Sequence, residues 1–376
     1  MKLLIAGGGT GGHLFPGIAV AEEFLARDHR NEVLFVGTET GIEARVLPLS
    51  GYRLRTIATA GIRGKRGFSK AKSIGLLLYA YSQSRQILKE FRPDLVLGVG
   101  GYASGPAVLA ARGMLLPRFI HEQNAIPGFT NKVLARIAAE KVFISLEESR
   151  KFFPEGRTLL TGNPLRRQIF DSIANPPPPP FTKGGSFIGK GDFHLLVFGG
   201  SRGAHSVNMA MIAALPHLQE LGDRLTVTHQ TGTDDLELVR KAYQESNMRG
   251  EVIPFIDAMA AEYRTADLIV CRAGATTIAE VTACGKACIF IPFPHAVDDH
   301  QRRNAEALLK EGAGFMLLER ELSGESLGRL VIDLANGPER VAETAANARR
   351  IARLDAAQLI VDEMLKKSVQ GRGQGQ

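Results

Sequence analysis

Short apolar runs alternate with stretches of helical periodicity along the whole chain. Continuous apolar runs are typical of strands buried on both faces, and their alternation with helices predicts parallel sheets covered on both sides. The pattern predicts ten strands in two series: Leu3–Ala6, Val33–Val36, Leu95–Leu97, Phe119–His121 and Val142–Ile144, then Leu195–Phe198, Leu225–His229, Val252–Phe255, Leu268–Cys271 and Ala287–Ile291. Predicted helices between and after them include Ile18–Arg27, Ile74–Phe91, Asn304–Glu311 and Glu339–Lys366. The chain is therefore predicted to be a doubly wound α/β protein.

A segment rich in proline and glycine separates the two series. Pro176–Pro180 is an unbroken proline run, which neither a helix nor a central strand accommodates. A chain of 376 residues is long enough for two domains of common size. The predicted organisation is a Rossmann-like domain over 1–168, a linker over 169–193, a second Rossmann-like domain over 194–338, and, over 339–376, a helix that returns to the first domain and a disordered tail from Gln370. Two such domains facing each other would leave a cleft between them.

A glycine-rich turn from strand to helix opens each series, at Gly7–Gly12 and at Gly199–Gly203. Glycines let the backbone approach a ligand closely, and the helix that follows presents unpaired N–H groups and a positive dipole end, which suit phosphate. A tight turn without a ligand is the alternative for either loop alone. The dinucleotide pattern GxGxxG is not cleanly met at either loop, no acidic residue closes the second strand at Phe35–Thr38 as NAD binding would require, and the P-loop pattern is absent.

Polar residues also follow several of the other predicted strands. Cys271–Glu280 reads as a strand, a loop of small residues and a helix start, in which Glu280 either accepts hydrogen bonds from a ribose or closes a capping box with Thr277. His121–Asn124 ends an apolar strand, where open α/β sheets bind ligands, although a solvated turn would look the same. Arg166 could pair with a phosphate or be a surface charge. The residues from Pro292 to Gln301 match no standard metal-ligand spacing, so no metal and no cofactor are expected.

Charge adds one partner class to this picture. The chain carries a formal net charge of +7, which suits an anionic partner such as a phosphorylated substrate, an anionic lipid or a nucleic acid. Ile62–Arg92 combines many basic residues with an apolar helical stretch, which fits an anionic membrane surface or an ordinary buried helix with solvated charges. The chain has three cysteines without a CxxC pair, and no apolar run long enough for a membrane span, so a cytoplasmic protein is expected.

Taken together, these motifs resemble the MurG family of bacterial transferases, in glycosyltransferase family 28 of the GT-B superfamily. The matching residues follow one another in order through nearly the whole chain: Gly7–His13 with Pro16 and Gly17, Gly98–Tyr102 with Ser104–Pro106, His121–Asn124, Gly162–Pro164 with Arg166, Gly199–Ser201, Phe255 and Ile256, Arg272, Gly274 and Ala275 with Glu280, and Pro292–His295 with Asp299–Gln301 and Asn304. The departures are the proline-rich linker, Arg202 after Ser201, and Ala279 where the family often has serine.

The resemblance implies a GT-B fold and the transfer of N-acetylglucosamine from UDP-GlcNAc to lipid I, which forms lipid II for peptidoglycan synthesis. It implies an enzyme at the cytoplasmic face of the inner membrane, with UDP-GlcNAc and lipid I as partners, an anionic membrane surface contacted through Ile62–Arg92, and no nucleic acid. By motif, the substrate-binding residues would be Thr10, Gly11, Gly12, Asn124, Arg166, Ser201, Ile256, Ala275, Thr276, Thr277, Ile278, Ala279, Glu280 and Gln301. Of these, Ser201 and Arg166 would meet the donor diphosphate, Ile256 the uracil, Glu280 the ribose and Gln301 the sugar.

The implied reaction is inverting and needs a base for the acceptor hydroxyl. His13 is the preferred candidate, because a helix N-terminus disfavours the imidazolium and leaves a neutral ring that accepts a proton. His121 and Glu122 are rival candidates. The alternatives for the whole protein are a UDP-GlcNAc 2-epimerase, which would need no acceptor, and a non-catalytic nucleotide-sugar binding protein, which would show no turnover. Because the two glycine loops would serve different substrates, catalysis is expected to need closure of the two domains.

Overall fold

The computed structural model describes residues 1–59, 68–174, 192–200 and 203–373, without the side chains of 68–74, 172, 174 and 368–373. The chain divides into two compact units: a first unit of Met1–Arg167 with Arg353–Gln376, and a second unit of Gln168–Ala352. The proline run, Ser201, Arg202 and the beginning of the basic segment at 62–67 lie outside the described residues. Each unit is built on its own parallel sheet.

Within the described residues the first unit contains a seven-stranded parallel sheet of order β3-β2-β1-β4-β5-β6-β7. Its strands are β1 (Lys2–Gly7), β2 (Glu32–Gly37), β3 (Arg53–Thr56), β4 (Leu95–Gly100), β5 (Arg118–Glu122), β6 (Lys141–Ile144) and β7 (Thr158–Leu160). The strand order changes direction between β1 and β4. In open sheets of this kind, the carboxyl ends of the strands at that switch point form the ligand crevice.

Helices cover both faces of this sheet. They are α1 (Gly11–Arg27), α2 (Glu43–Leu49), α3 (Phe68–Phe91), α4 (Ser104–Gly113) and α5 (Phe129–Ile137). Successive strand residues point to opposite faces, so Leu4 of β1 packs in a core with α3, α4 and α5, whereas Leu3 packs in a core with α1 and α2. The last helix, α14 (Ala356–Gly373), completes the second of these cores with three buried residues, Ile360, Val361 and Met364.

The second unit repeats the arrangement with six parallel strands in its described part, in the order β10-β9-β8-β11-β12-β13. These are β8 (Phe193–Phe198), β9 (Leu225–Gln230), β10 (Gly250–Ile253), β11 (Leu268–Cys271), β12 (Ala287–Phe290) and β13 (Phe315–Met316). The helices are α6 (Arg167–Ala174), α7 (His205–Leu218), α8 (Leu236–Glu245), α9 (Met259–Thr265), α10 (Ala275–Ala283), α11 (His300–Lys310), α12 (Gly324–Ala335) and α13 (Pro338–Ile351). The switch point lies between β8 and β11, as it lies between β1 and β4 in the first unit.

The predicted α/β class and all ten predicted strands are confirmed, and three further strands were missed. The missed strands, β3, β7 and β13, lie at sheet edges. An edge strand needs fewer apolar residues, because it has a neighbour on one side alone; Arg53–Thr56, for example, carries two arginines in four positions. A rule that looks for long continuous apolar runs passes over β3 because of its charge, and over β7 and β13 because they have three and two residues.

The single helix predicted over Glu339–Lys366 is replaced by two helices, α13 and α14. The chain leaves the helix at Ala352, whose φ and ψ of −63° and 141° are extended. Ala348 of α13 is buried in the second unit, whereas the apolar face of α14 is buried in the first unit. The helical periodicity of the sequence does not show which core an apolar face packs against, so the apolar faces of two helices were predicted as one. Helix α14 also continues through Gly373, into the stretch predicted to be disordered.

Among the described residues, no helix combines the length and the apolar content that crossing a membrane requires.

Candidate active site

The first glycine loop leaves β1 at the switch point of the first unit and leads directly into α1. Thr10 is the N-cap, with extended φ and ψ of −135° and 158°, and Gly11 and Gly12 are the first two helical residues. The N–H groups of a first helical turn have no partner within the helix. The predicted acceptor-side residues Thr10, Gly11 and Gly12 thus form one helix N-terminus, which is suited to an anionic group.

His13 is the third residue of α1, and its ring lies against the same loop. Its Nδ1 is 3.3 Å from the carbonyl oxygen of Gly8 and 3.3 Å from the hydroxyl oxygen of Thr10. A carbonyl oxygen can only accept a hydrogen bond, so the contact with Gly8 requires a proton on Nδ1. With the proton on Nδ1, the ring nitrogen that can exchange a proton with a substrate is Nε2.

The end of β4 leaves space for the imidazole of His13. Gly100 has a φ of +95°, and a Cβ atom at this position would lie 2.7 Å from Cδ2 of His13. Gly101, with a φ of +79°, lies so close to the carbonyl group of Gly8 that a side chain would overlap it. The N–H of Gly8 donates to the carbonyl oxygen of Gly100 at 3.3 Å. The two glycine loops of the first unit are therefore packed backbone to backbone.

His121 lies at the end of β5 and is enclosed. Gln123 donates from Nε2 to Nδ1 of His121 at 3.1 Å, while Nε2 of His121 lies 3.1 Å from the hydroxyl of Ser145 and 3.4 Å from the carbonyl oxygen of Gly162. Burial lowers the pKa of His121 to about 4, and His13 nearby lowers it further, against the opposing effect of the Gly162 hydrogen bond. His121 is thus a buried neutral histidine with partners at both ring nitrogens.

Glu122 is also buried and shapes the turn that follows β5. Its carboxylate accepts hydrogen bonds from the backbone N–H of Asn124 at 3.0 Å, from the N–H of Gly128 at 3.1 Å, and from Nδ2 of Asn131 at 2.9 Å. Burial raises the pKa of Glu122, while these hydrogen bonds act against the rise. The side chain of Asn124 also donates to Glu122, at 3.2 Å. The geometry is that of a carboxylate that holds Asn124 in place.

Arg166 lies beside the start of α1. Its guanidinium carbon is 4.9 Å from the centroid of the Phe15 ring, a cation–π arrangement. Phe15 is two residues beyond His13 on the same helix. The structure thus brings Arg166 to the first turns of α1 in its own unit, and its predicted contact with the donor diphosphate stays a prediction.

In the second unit, the loop after β8 occupies the equivalent switch point. Gly203 has a φ of +76°, and a side chain there would overlap the backbone of Thr231. Gln230, at the end of β9, donates from Nε2 to the carbonyl oxygen of Gly200 at 2.9 Å and to that of Pro254 at 3.2 Å. The predicted site residue Ser201 lies outside the described residues; Gly200 before it is hydrogen-bonded to Gln230 of β9, and Gly203 after it packs against Thr231, which follows β9.

The motif after β11 forms the start of α10. Gly274 is the N-cap without a side-chain cap, so the capping box with Thr277 is not formed. Glu280 is buried, and its Oε2 accepts a hydrogen bond from the hydroxyl of Tyr263 at 3.0 Å. The hydroxyl oxygen of Thr276 is buried without a hydrogen-bond partner. The predicted substrate-binding residues Ala275 through Ala279 are the first five residues of this helix, and Glu280 is the sixth.

Two further predicted donor residues lie on neighbouring segments. Ile256 is buried in the same apolar cluster as Tyr263 and Ile278. Gln301 is the second residue of α11, and its Oε1 accepts a hydrogen bond from the N–H of Phe293 at 3.0 Å. Because the strands of the second unit are parallel, all these segments leave the same edge of its sheet.

Two residues without a predicted role link parts of these sites. Arg272 donates to the carboxylate of Glu319 at 2.5 Å and to the hydroxyl of Ser206, near the start of α7, at 2.8 Å. Glu43 is fully buried and accepts a hydrogen bond from the N–H of Gly9 at 2.7 Å. Glu43 follows β2, in the region where NAD-binding proteins carry an acidic residue for the ribose. In the sequence, the glycines at positions 8, 37 and 41 were the features that could have indicated a side chain enclosed there.

Among the described residues, no group of three or more His, Cys, Asp or Glu side chains is arranged to hold a metal ion.

Both units match models of one protein family. Residues 3–144 match the glycosyltransferase family 28 N-terminal domain, and residues 194–360 match the glycosyltransferase family 28 C-terminal domain. The chain is 67% identical over 365 residues to a protein of Geobacter metallireducens, with 97% of this chain and 98% of the relative covered. A protein of Geobacter sulfurreducens is 66% identical with the same coverage. Both relatives are named UDP-N-acetylglucosamine–N-acetylmuramyl-(pentapeptide) pyrophosphoryl-undecaprenol N-acetylglucosamine transferase.

Solved structures agree with the fold. The crystal structure of Acinetobacter baumannii MurG is 33% identical, with a TM-score of 0.77 and coverage of 97% of this chain and 99% of that one. A UDP-N-acetylglucosamine 2-epimerase, at 12% identity and a TM-score of 0.64 over 98% of this chain and 96% of that one, shares the fold alone. With a family match in each unit and close relatives over nearly its full length, this chain belongs to glycosyltransferase family 28.

Proposed function

We infer that this chain transfers N-acetylglucosamine from UDP-GlcNAc to the N-acetylmuramyl-(pentapeptide) pyrophosphoryl-undecaprenol acceptor, lipid I, and so forms lipid II for peptidoglycan synthesis. The observation that carries the inference is the 67% identity to a relative of that name over 97% of this chain. In this proposal the polar carboxyl-end loops of both sheets supply the chemistry that the reaction needs: helix N-termini for two diphosphates and the imidazole of His13 for one proton.

The second unit binds the donor in this proposal. The diphosphate lies at Gly199–Gly203 and the start of α7, where N–H groups and the helix dipole favour anions. Glu280 accepts hydrogen bonds from the ribose hydroxyl groups, and Ile256 contacts the uracil. Gln301 contacts the sugar. The hydrogen bond from Tyr263 to Glu280 supports this assignment, because it holds the carboxylate in one orientation at the edge of the sheet where ligands bind.

The first unit binds the acceptor and supplies the base. The acceptor diphosphate lies at Gly11 and Gly12, and Nε2 of His13 takes the proton of the 4-hydroxyl group. The hydroxyl oxygen forms a bond to the anomeric carbon of the sugar as the bond from that carbon to the diphosphate oxygen breaks, so the configuration inverts and UDP leaves. Arg166 offsets the charge of the departing diphosphate. His121 is the weaker candidate for the base, because both of its ring nitrogens already have partners in a buried site.

The test of the base is the substitution His13→Ala, with UDP release from UDP-GlcNAc measured in the presence of a lipid I analogue. A lost general base lowers kcat by about 10²–10⁴-fold. His29→Ala is the matched control, since the side chain of His29 belongs to the same unit and is 91% exposed. A turnover of His13→Ala equal to that of the control would exclude His13 as the base. A reaction with UDP-GlcNAc and no acceptor measures the background UDP release by hydrolysis and any isomerisation of the sugar nucleotide.

We assign to the first unit the surface that binds the cytoplasmic face of the inner membrane. Leu78 of α3 is 67% exposed and Leu115, after α4, is 87% exposed. The two helices pack together, and a side chain at Gly113 would touch the hydroxyl of Tyr81. Arg85 is exposed seven residues after Leu78, on the same face of α3. Exposed apolar residues beside basic ones suit an anionic bilayer surface.

Binding to vesicles tests this surface. At low salt the protein should bind anionic vesicles and not neutral ones, and Leu78→Ser with Leu115→Ser should weaken the binding. Arg85→Gln should weaken it by about fivefold, since a basic residue near such a surface contributes about 1 kcal/mol. Leu238→Ser is the control, because Leu238 is a half-exposed leucine of the second unit. Equal binding of neutral and anionic vesicles, or equal losses in the control, would refute the assignment.

A further inference from the structure

Glu43 is a buried carboxylate next to the first glycine loop, at the start of α2. It is fully buried, at 0% exposure. A carboxylate removed from water is costly unless hydrogen-bond donors surround it. The hydrogen-bond donors around Glu43 must therefore offset the cost of burying its charge.

Each oxygen of this carboxylate serves a different segment. Oε2 accepts the N–H of Gly9, in the loop after β1, at 2.7 Å. Oε1 accepts both the backbone N–H and the hydroxyl of Thr38, after β2, at 2.8 Å each. One side chain thus connects the acceptor loop to the neighbouring loop, with three donors and short distances.

The surrounding backbone is built to admit this carboxylate. Side chains at Gly8, Gly37 or Gly41 would each overlap atoms of Glu43. The φ of Gly8 is +139°, a conformation that residues with side chains rarely adopt. Gly8 in the loop after β1, Gly37 at the end of β2 and Gly41 in the loop after β2 thus enclose one acidic group, which leaves the Glu43 side chain little room to move.

We propose that Glu43 is a positioning residue of the transfer reaction, which acts by fixing the backbone of the acceptor loop. Gly9, which it holds, precedes the N-cap Thr10, and Gly8 accepts the hydrogen bond from His13. A shift of Gly8 and Gly9 moves both the helix N-terminus that receives the acceptor diphosphate and the imidazole that takes the proton. The inference rests on the assignment of this loop to the acceptor.

Glu43→Gln separates the two halves of the contact. The amide oxygen can keep both donors of Thr38, which places the amide NH₂ against the N–H of Gly9, so that two donors face each other. Leaving a buried donor unpaired has a cost that corresponds to about a tenfold to hundredfold effect. We expect kcat/KM for the lipid I analogue to fall by about that factor, with KM for UDP-GlcNAc unchanged.

Thr38→Val is the matched control, because it removes a hydrogen bond to Oε1 and leaves the bond from Gly9 to Oε2. It should lower the melting temperature as Glu43→Gln does, without the loss in kcat/KM for the acceptor. Equal kinetic losses in the two variants would reduce Glu43 to a general stabilising role and overturn the proposal. A rise in KM for UDP-GlcNAc with unchanged acceptor kinetics would show instead that the loop does not serve the acceptor.

Hydrogen exchange of the unmodified protein gives a measurement that does not depend on whether the variant folds. The amide of Gly9 donates to a buried carboxylate, so it should exchange far more slowly than an open loop amide. Exchange of this amide at the rate of an unprotected glycine would overturn the proposal, whatever the variants show.

Discussion

Gly100 makes room for the imidazole of His13, and a methyl group at this position would remove that room. In Gly100→Ala, the new Cβ atom would lie 2.7 Å from Cδ2 and 2.9 Å from Nε2 of His13. Ordinary contacts of a Cβ atom begin near 3.4 Å, so the ring must move by roughly 0.7 Å or the loop must yield. A displacement of about 1 Å at a reacting group lowers a rate by about 100-fold. We therefore expect kcat for UDP release to fall by about 30-fold to 100-fold.

The substitution also imposes backbone strain, which needs its own control. Alanine at a φ of +95° costs about 1–2 kcal/mol. Gly51 has a φ of +76°, and no atom lies within 4 Å of the place that a methyl group would take there, so Gly51→Ala introduces similar strain without a collision. Both variants should lose stability in urea unfolding through the backbone strain, and only Gly100→Ala should lose turnover. If Gly100→Ala keeps the turnover of Gly51→Ala, the placement of the imidazole does not limit the reaction and the argument for His13 fails with it.

Burial lowers the pKa of His121 to about 4 and that of His229 to about 3, so between these values and about 6.5 the unfolded chain binds more protons. Acidification from pH 6.5 to pH 5 should therefore lower the free energy of unfolding by about 1.5 kcal/mol for each histidine; a flat urea midpoint over this range would contradict it. Gln230→Ala removes both hydrogen bonds from its Nε2, to the carbonyl oxygens of Gly200 and Pro254, and KM for UDP-GlcNAc should rise by about tenfold if this loop binds the donor diphosphate, with KM for the acceptor unchanged. Tyr263→Phe frees the Glu280 carboxylate from one hydrogen bond, and KM for UDP-GlcNAc should rise by about threefold to tenfold; the rise should vanish for a donor without ribose hydroxyl groups.

The fold was predictable because buried parallel strands are apolar along their whole length. Leu3 and Leu4 of β1 enter different cores on opposite faces, so both must be apolar and the run is unbroken. The same reasoning failed at Arg53–Thr56, where an edge strand tolerates charge. It also failed at α13 and α14, since a helical period carries no information about the core that a helix joins.

The candidate site was predictable where strands end and was missed where one segment supports another. His13, Glu122 and Glu280 all lie directly at carboxyl ends of strands or in the helices that begin there, which chain order alone reveals. Glu43 and Gln230 act on glycine loops that are distant in sequence. Their partners on these loops are backbone groups; the glycines around Glu43 indicate a close approach, but the fold is needed to identify the side chain that approaches.

The division of the chain has a consequence for its synthesis. The first unit consists of Met1–Arg167 and Arg353–Gln376, with the whole second unit between them. The core beneath α1 includes Ile360, Val361 and Met364 of α14, which are fully buried. During translation, folding of the first unit can therefore be completed only after the second unit has been synthesised. This synthesis takes roughly ten seconds or more at about 5–20 residues per second. A nascent chain would expose this unfilled apolar groove until its last helix arrives.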